Sequence, residues 1–151
     1  MARGYERPLS WDIDDRYRGG LVMSLALQGS GVANIDGASV EIRLGDDGNY
    51  TLYTGSSDMG MGANTVLTQM ACEVLGCPME SMTVVESDTD IVPFDPGSYA
   101  SSTTYVTGTA AKMAAEELRA KIINKLAQFM DVSPEEIDFD GLVGMTKDGP
   151  Q

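Results

Sequence analysis

The sequence predicts an α+β fold, a two-layer sandwich in which one long and one shorter helix pack on one face of a mostly antiparallel sheet. Two segments with alternating apolar and polar residues meet at a turn, which indicates a hairpin. Two later segments carry apolar residues at helical spacing. The elements follow one another as strand, hairpin, helix, strand and helix, an order that favours helices on one side of a sheet.

The N-terminal part of the chain is expected to precede the folded domain. Residues 1–17 mix acids and bases and are predicted to be an extended arm or a linker. Residues 20–37 are apolar but rich in Gly and Ser, so we expect a long strand with a bend at residues 29–31. We place the domain at residues 18–147 and a short tail at residues 148–151.

The hairpin has the clearest structural signal in the sequence. Apolar and charged residues alternate over residues 38–44, which is typical of a half-buried strand. Residues 46–49 read Asp-Asp-Gly-Asn, which are turn residues that tolerate a positive φ. Residues 50–54 then return as the second strand.

A helix and a short strand are predicted next. Apolar residues recur at helical spacing from Leu67 to Leu75, and Gly76 followed by Pro78 ends the helix. Residues 82–85 are a short apolar run that predicts a strand.

A second, longer helix is predicted after the loop of residues 86–102. Apolar residues at helical spacing indicate an amphipathic helix over residues 103–130. Ser133 and Pro134 are typical of a helical turn, with Ser as the N-cap and Pro at the first position. Residues 142–146 predict a last strand.

Composition excludes several classes of protein. There are 23 acids and 10 bases, a net charge of −13, which argues against binding of nucleic acid or anionic membranes. The chain contains no His, so His-based nucleophile pairs and His metal ligands are excluded. Cys72 and Cys77 are too few for a disulfide framework and are interpreted as small core residues. Without a leader or a long apolar run, a cytoplasmic protein is expected.

The middle of the chain is strongly acidic. Between Arg43 and Lys112 there are nine acids and no base. An anion bound here must therefore be held by backbone N–H groups, hydroxyls and helix N-termini. The plainer interpretation is an acidic, solvated face.

Two polar segments each precede a predicted helix. The glycine turn (residues 55–62) contains Gly55, Gly60 and Gly62, and its N–H groups are able to point into one concavity. It is neither a Walker A loop nor a GxGxxG fingerprint, and a Gly-rich turn taken alone is more often an ordinary turn than a site. The hydroxyl segment (residues 100–104, Ala-Ser-Ser-Thr-Thr) either caps the long helix or holds an anion.

An acidic loop offers a different possibility. Asp88, Asp90 and Asp95 are spaced so that their carboxylates could hold a hard cation such as calcium. The EF-hand spacing is missing, and the alternative is that these Asp side chains cap their own turns.

Four short motifs occur in an order and spacing that resemble a known family. They are Gly55-x-x-Asp58-Met59-Gly60-x-Gly62-x-x-Thr65-x-x-x-Gln69, Leu75-Gly76-x-Pro78, Asp88-Thr89-Asp90-x-x-Pro93 and Gly97-x-x-Ala100-Ser101-x-x-Thr104. The combination is similar to the molybdenum-binding subunit of the xanthine dehydrogenase / aldehyde oxidase family, the molybdenum hydroxylases. The resemblance runs from about residue 18 to about residue 125 and covers only part of that family's large subunit.

The resemblance implies that this chain positions molybdopterin with its molybdenum. In the family, the first and last of these motifs contact the pyranopterin, its phosphate and, in many bacterial members, a cytosine dinucleotide extension. The cofactor-binding residues implied here are Met59, Gly60, Met61, Gly62, Ala100, Ser101, Thr103 and Thr104. The resemblance assigns no catalytic residue and no metal ligand to this chain.

The resemblance also implies a role for the whole enzyme. A xanthine dehydrogenase-type oxidoreductase hydroxylates an N-heterocycle or an aldehyde with water as the oxygen source, and partner subunits carry iron–sulfur centres and FAD. The catalytic Glu of the family lies in a later Gly-rich motif that does not occur before Gln151. We therefore expect a fragment or a subunit that is inactive alone, binds other parts of a molybdenum hydroxylase and self-associates when isolated.

Two departures from the family pattern favour an alternative. Met61 stands where the family usually has Gln, and a thioether is only a weak acceptor. Ser102 stands where Arg is frequent, which removes a phosphate partner. The alternative is a non-catalytic assembly or interaction domain of the same fold with degenerate cofactor loops.

Overall fold

The computed structural model describes residues 10–27, 29, 36–147 and 149, and it confirms the predicted α+β fold class. The strands and helices are β1 Ser10–Asp12, β2 Arg18–Gly20, β3 Val40–Leu44, β4 Tyr50–Thr54, α1 Ala63–Leu75, β5 Met82–Glu86, α2 Thr103–Met130, β6 Ile137–Phe139 and β7 Gly144–Thr146. Short 3₁₀ turns at Met79–Ser81 and Pro134–Glu136 precede β5 and β6.

The central sheet has three strands in the order β3-β4-β5. The predicted hairpin is confirmed, with β3 and β4 antiparallel and Ile42 opposite Leu52. β5 lies parallel to β4, with Val84 opposite Leu52, because α1 carries the chain from one end of the sheet back to the other. The pairs β1–β2 and β6–β7 are antiparallel two-stranded sheets.

The main core lies between the central sheet and the two helices. Its buried members are Ile42, Tyr50, Leu52, Leu67, Ala71, Cys72, Leu75, Cys77, Met82, Ala111 and Ala115. α2 contributes small residues at this contact, so its backbone approaches α1 closely. An added Cβ at Gly108 would lie 2.5 Å from the Sδ of Met70.

Both cysteines are core residues, as predicted. They are free thiols and buried. Burial raises the pKa of the Cys72 thiol to about 12, with a further contribution from the neighbouring Cys77 thiol. In the part of the chain that the structure describes, no helix is long and apolar enough to cross a membrane.

A second, smaller core joins the C-terminal half of α2 to the β6–β7 pair through Ala127, Ile137 and Phe139. The guanidinium of Arg119 connects this core to α1. It donates hydrogen bonds to the carbonyl oxygen of Leu75 and, at 2.7 Å, to that of Phe139. A cation therefore occupies the negative end of α1 and satisfies one of its last carbonyls.

Replacing Arg119 with Met is expected to lower the free energy of unfolding by about 2–4 kcal/mol. The variant keeps the apolar stem but leaves two carbonyl groups without their charged donor. Lys121→Met is the matched control on the same helix, because Lys121 forms a fully exposed ion pair with Glu117, and such pairs contribute little to stability. Urea unfolding followed by circular dichroism measures both variants, and equal losses would contradict the role given to Arg119.

One predicted element is wrong over those of its residues that the structure describes. The expected strand covers residues 20–37, but β2 ends at Gly20. Residues 21–27 form no strand and their side chains are exposed, with Val22 at 87% and Leu27 at 100%. Most of the remainder of that prediction, residues 28 and 30–35, lies outside the described residues. A strand needs a hydrogen-bonding partner, and apolar content alone did not supply one.

Candidate functional site

The glycine turn follows β4 and leads into α1. Its first residue, Gly55, packs against another loop, because an added Cβ would lie 2.5 Å from the carbonyl oxygen of Pro93 and 2.8 Å from the Cβ of Asp95. Gly60 and Gly62 have φ values of +101° and +76°, which L side chains rarely adopt. An added Cβ at either of these two residues would meet no atom within 4 Å, so they border open space.

The carboxylate of Asp58 organises the glycine turn. Its Oδ1 accepts hydrogen bonds from the N–H of Gly60 at 2.8 Å and of Gly62 at 3.1 Å, and its Oδ2 accepts from the N–H of Asn64 at 3.4 Å. The Gly60 hydrogen bond is the largest of the causes that lower the pKa of Asp58 below its usual range. Asp58 therefore accepts from two N–H groups just before α1 and from one in its first turn.

The loop before α2 lies across the glycine turn. The hydroxyl of Ser98 donates to the carbonyl oxygen of Ser57 at 3.3 Å, and the hydroxyls of Ser57 and Ser87 are 3.1 Å apart. The N–H of Asp58 donates to the Oε2 of Glu86 at 3.2 Å. These contacts hold the loop of residues 86–102, and the end of β5 that leads into it, against the glycine turn.

The start of α2 has an unusual backbone. Ala100 and Ser101 are consecutive non-glycine residues with φ values of 52° and 53°. Each left-handed residue of this kind costs about 1–2 kcal/mol. The conformation turns the N-cap residue Ser102 inward, so its hydroxyl donates to the carbonyl oxygen of Tyr99 at 3.0 Å and makes no side-chain cap to the helix. Strain of this kind clusters at ligand sites.

A cavity of about 560 Å³, here called the site cavity, lies between the two segments. Its lining residues are Met59, Met61, Ser98, Tyr99, Ala100, Ser101, Thr103 and Thr104. Six of the eight residues named from the sequence are among them. Gly60 and Gly62 are not, because their N–H groups face Asp58. None of these lining residues is charged.

The side chain of Met61 makes a hydrogen bond within the glycine turn and also lines the site cavity. Its Sδ accepts a hydrogen bond from the N–H of Met59 at 3.2 Å. Both methionines remain partly exposed, at 70% for Met59 and 45% for Met61. The turn thus has two sides, with glycine N–H groups toward Asp58 and methionine side chains toward the site cavity.

Sequence analysis missed three residues of this arrangement. Ser98 and Tyr99 line the site cavity but precede the predicted hydroxyl segment. Asp58 was recognised as part of a motif, but no role was given to it. The signal was present, because an Asp two residues before a Gly commonly accepts a hydrogen bond from that residue's N–H group.

The acidic loop behaves as a set of turn caps. Asp88 accepts a hydrogen bond from the N–H of Asp90 at 3.0 Å, and Asp95 accepts from the N–H of Gly97 at 2.8 Å. Among the residues that the structure describes, no group of three or more His, Cys, Asp or Glu side chains could hold a metal ion. These contacts favour the capping interpretation over a calcium site.

An apolar groove adjoins the site cavity. It has a volume of about 540 Å³, lies between α1 and α2 and shares Ser101 and Thr104 with the site cavity. Met70, Val74 and Tyr105 contribute to its walls. The side chain of Tyr105 is 81% exposed, so this groove is an apolar surface without a cover among the described residues.

An α+β domain with strained, hydroxyl-rich and glycine-rich segments around a neutral cavity has the features of a cofactor-binding domain. Comparison with known families places it more closely. The chain belongs to the molybdopterin cofactor-binding domain family, whose model matches residues 5–150. The family resemblance seen in the sequence is therefore confirmed.

Individual relatives agree with this assignment. The Escherichia coli K12 protein named Probable hypoxanthine oxidase XdhD is 44% identical over 108 residues, which are 72% of this chain and 11% of that protein. The xanthine dehydrogenase molybdenum-binding subunit of Escherichia coli O157:H7 is 37% identical over 97 residues, 64% of this chain and 13% of that protein.

A solved structure shows the same similarity. Reconstituted CO dehydrogenase from Oligotropha carboxidovorans superposes with a TM-score of 0.69 at 28% identity, over 76% of this chain and 14% of that chain. The chain thus spans about an eighth of the length of these relatives, between 11% and 14%.

Proposed function

We propose that this chain holds and orients the anionic end of a molybdopterin cofactor within the large subunit of a xanthine dehydrogenase-type oxidoreductase. The observation that carries the proposal is the site cavity at the start of α2, where the N-cap side chain does not cap the helix. The two cysteines are unpaired thiols, which is typical of proteins in a reducing compartment. We therefore also propose that the protein is located in the cytoplasm.

The chemistry of the site cavity fits such a group. The hydroxyls of Thr103 and Thr104 are among its lining groups, and they are able to donate hydrogen bonds to phosphate oxygens. The first N–H groups of α2 add a partial positive charge. No carboxylate is among the lining residues, although acids predominate in this part of the sequence. Neutral donors and a helix dipole would therefore replace the Lys and Arg that the segment lacks.

Each part of the site would have its own task. The start of α2 would hold the phosphate, and Met59 and Met61 would pack against the apolar faces of the ligand. When bound, the molybdenum cofactor supplies the oxidation chemistry, while the protein supplies binding and orientation. The apolar groove shares Ser101 and Thr104 with the site cavity, so a cytosine dinucleotide extension, where the cofactor has one, would be accommodated on that side.

The whole enzyme is proposed to hydroxylate an N-heterocycle or an aldehyde with water as the oxygen source. Relatives named as a hypoxanthine oxidase and a xanthine dehydrogenase subunit support the N-heterocycle. Electrons would leave through iron–sulfur centres and FAD on partner subunits. The catalytic Glu motif expected from the family does not occur in this sequence, so the chain alone is expected to be inactive.

The test is to produce the chain together with the remaining parts of the large subunit and its partner subunits. Molybdenum is measured by mass spectrometry, and pterin by the fluorescence of its oxidised derivative. About one pterin for each assembled complex is expected. A correctly assembled complex that contains no pterin would refute the proposal.

The alternative of an assembly domain with degenerate loops is tested by Met61→Gln. This change restores the amide that the family usually has at this position, on a residue that lines the site cavity. If the cofactor is bound, both forms contain pterin, and the Gln form contains at least as much. If both assembled forms lack pterin, the chain is an assembly domain.

A further inference from the structure

A cavity at the C-terminal end of α1, here called the thiol cavity, has no part in the proposed function. It has a volume of about 480 Å³, and Cys72, Cys77 and Met79 are among its lining residues. It shares no lining residue with the site cavity. Two thiol residues and one thioether residue therefore contribute to the wall of a single cavity, at the opposite end of α1 from the glycine turn.

The end of α1 holds the two cysteines against each other. Gly76 has a left-handed φ of 88°, and its N–H donates to the carbonyl oxygen of Cys72 at 2.7 Å. A helix end of this kind folds the following residue back onto the last turn, which here brings Cys77 to Cys72. Burial raises the pKa of both thiols, and the hydrogen bonding between them is the next largest influence on each pKa. The two thiols are therefore direct neighbours.

The backbone around this pair is closely packed. The thiol of Cys72 donates a weak hydrogen bond to the carbonyl oxygen of Pro78, with 3.8 Å between the two atoms. Gly141 packs directly on the backbone N of Cys77, so that an added Cβ would overlap it. Both cysteines are thus held in place before any ligand binds, and binding would lose little conformational entropy.

Charges of both signs lie near the pair. Glu73 is exposed and lines the thiol cavity. After burial and the neighbouring thiol, the charge of Glu80 is a further cause of the raised pKa of Cys72. The guanidinium of Arg119 lies 3.5 Å from the position of an added Cβ at Gly76, which precedes the second cysteine. A cation would therefore be attracted to the cavity, and a negatively charged complex would have a positive neighbour.

We propose that Cys72, Cys77 and Met79 form a binding site for one monovalent thiophilic metal ion of the Cu(I) type. Thiolate and thioether sulfur atoms are soft ligands that select such an ion. Cu(I) is satisfied by two or three ligands, whereas Zn²⁺ in structural sites takes four. Because no group of three or more His, Cys, Asp or Glu side chains in the described part of the chain could hold a metal ion, the larger ligand set that Zn²⁺ needs is missing here.

Binding would exchange protons for the metal without a redox step. Two S–H bonds break, two Cu–S bonds form, and both protons pass to solvent. One Cu(I) ion with two thiolates carries a single negative charge, which the guanidinium of Arg119 offsets. The thioether of Met79 is a neutral third ligand, so it changes the affinity of the site but not its charge.

The experiment is a titration of the reduced 151-residue chain with Cu(I) in the absence of oxygen, in competition with the coloured Cu(I) chelator bicinchoninate. We expect the chain to take one Cu(I) from the chelator, to gain the ultraviolet absorption of copper–thiolate bonds and to unfold at a higher Tm. Zn²⁺ is expected to bind at least about tenfold more weakly. A chain that leaves all Cu(I) with the chelator, or that binds Zn²⁺ as tightly, would overturn the inference.

Single substitutions locate the ion. Cys72→Ala and Cys77→Ala each leave one thiol and are expected to lower the Cu(I) affinity at least about tenfold. Met79→Leu keeps an apolar side chain of similar size and is expected to lower the affinity about threefold. Met113→Leu is its matched control, because Met113 is an exposed methionine on α2, and it is expected to have no effect. Unchanged affinity in a folded Cys variant would contradict the proposed site.

The methionines keep the test decisive if loss of a core thiol unfolds the chain. In NMR spectra of the unchanged chain, Cu(I) is expected to move the methyl resonance of Met79 and to leave those of Met59 and Met61 in place. If Cu(I) moves Met59 and Met61 instead, and binds equally to Met79→Leu and Met113→Leu, the glycine turn holds the ion and the inference is wrong. None of these measurements involves pterin, so this inference and the proposed function succeed or fail separately.

Discussion

Replacing Gly141 with Ala is expected to lower the free energy of unfolding by about 3 kcal/mol or more. Gly141 has a φ of +95°, where an L residue costs about 1–2 kcal/mol. An added Cβ would overlap the backbone N of Cys77 and lie 2.6 Å from the carbonyl carbon of Gly76. Neither atom belongs to a flexible side chain, so the chain segments must separate, and overpacking of this kind costs about 1–3 kcal/mol more.

The consequence would reach the central sheet. The hydroxyl of Tyr50 donates to the carbonyl oxygen of Gly141 at 2.6 Å, and Tyr50 is the first residue of β4 and only 2% exposed. Burial raises the pKa of this hydroxyl to about 12, so it is a donor at neutral pH. A displacement at Gly141 therefore removes the partner of a buried hydroxyl as well.

Gly48→Ala is the matched control for Gly141→Ala. Gly48 has a similar φ of +82°, but an added Cβ would meet no atom within 4 Å. Only the conformational cost remains, so a loss of about 1 kcal/mol is expected. Urea unfolding of both variants measures the difference. If the two losses are equal, the close approach between residues 76–77 and residue 141 does not contribute to stability.

The elements that sequence predicted well are those that local rules determine. α2 covers Thr103–Met130, as predicted, and α1 ends at Leu75 because Gly76 adopts the left-handed conformation with a φ of 88°. The β3–β4 hairpin follows from alternation and from a turn of Asp, Gly and Asn residues. In each case a run of adjacent residues carries the whole signal.

The elements that sequence missed depend on distant partners. β6 has only three residues, and two of them, Ile137 and Phe139, are buried because the end of α2 and Arg119 pack on them. The apolar residues 21–27 had the composition of a strand but have no strand partner among the described residues. Whether an apolar stretch pairs is decided by tertiary contacts, which its own sequence does not contain.

The site shows the same division. The two segments that meet at the site cavity could be predicted, because glycines, hydroxyls and helix starts are visible in the sequence. Which helix start has a carboxylate beside it could not be predicted, because that depends on the direction of two side chains. Asp58 turns toward α1, while the left-handed Ala100 and Ser101 turn Ser102 away from α2.

Replacing Thr104 with Asp is therefore expected to separate cofactor binding from stability. Thr104 is exposed, lines the site cavity and lies in the first turn of α2. A carboxylate there favours the helix by about 0.5 kcal/mol. Facing the phosphate of the cofactor, it is expected to lower the pterin content of the assembled complex at least about tenfold, because two negative charges about 4 Å apart repel by several kcal/mol near a protein surface.

Two controls isolate the charge and its position. Thr104→Asn has nearly the same shape as Thr104→Asp without the charge, so its pterin content is expected to stay within about twofold of the unchanged complex. Gln128→Glu adds one negative charge to the same helix near its other end, on an exposed residue, and is expected to leave pterin content unchanged. Pterin fluorescence of the assembled complex and urea unfolding of the isolated chain measure the two effects separately. A normal pterin content in Thr104→Asp would mean that the anionic group of the cofactor lies away from the start of α2. That result would contradict the role proposed for this helix start.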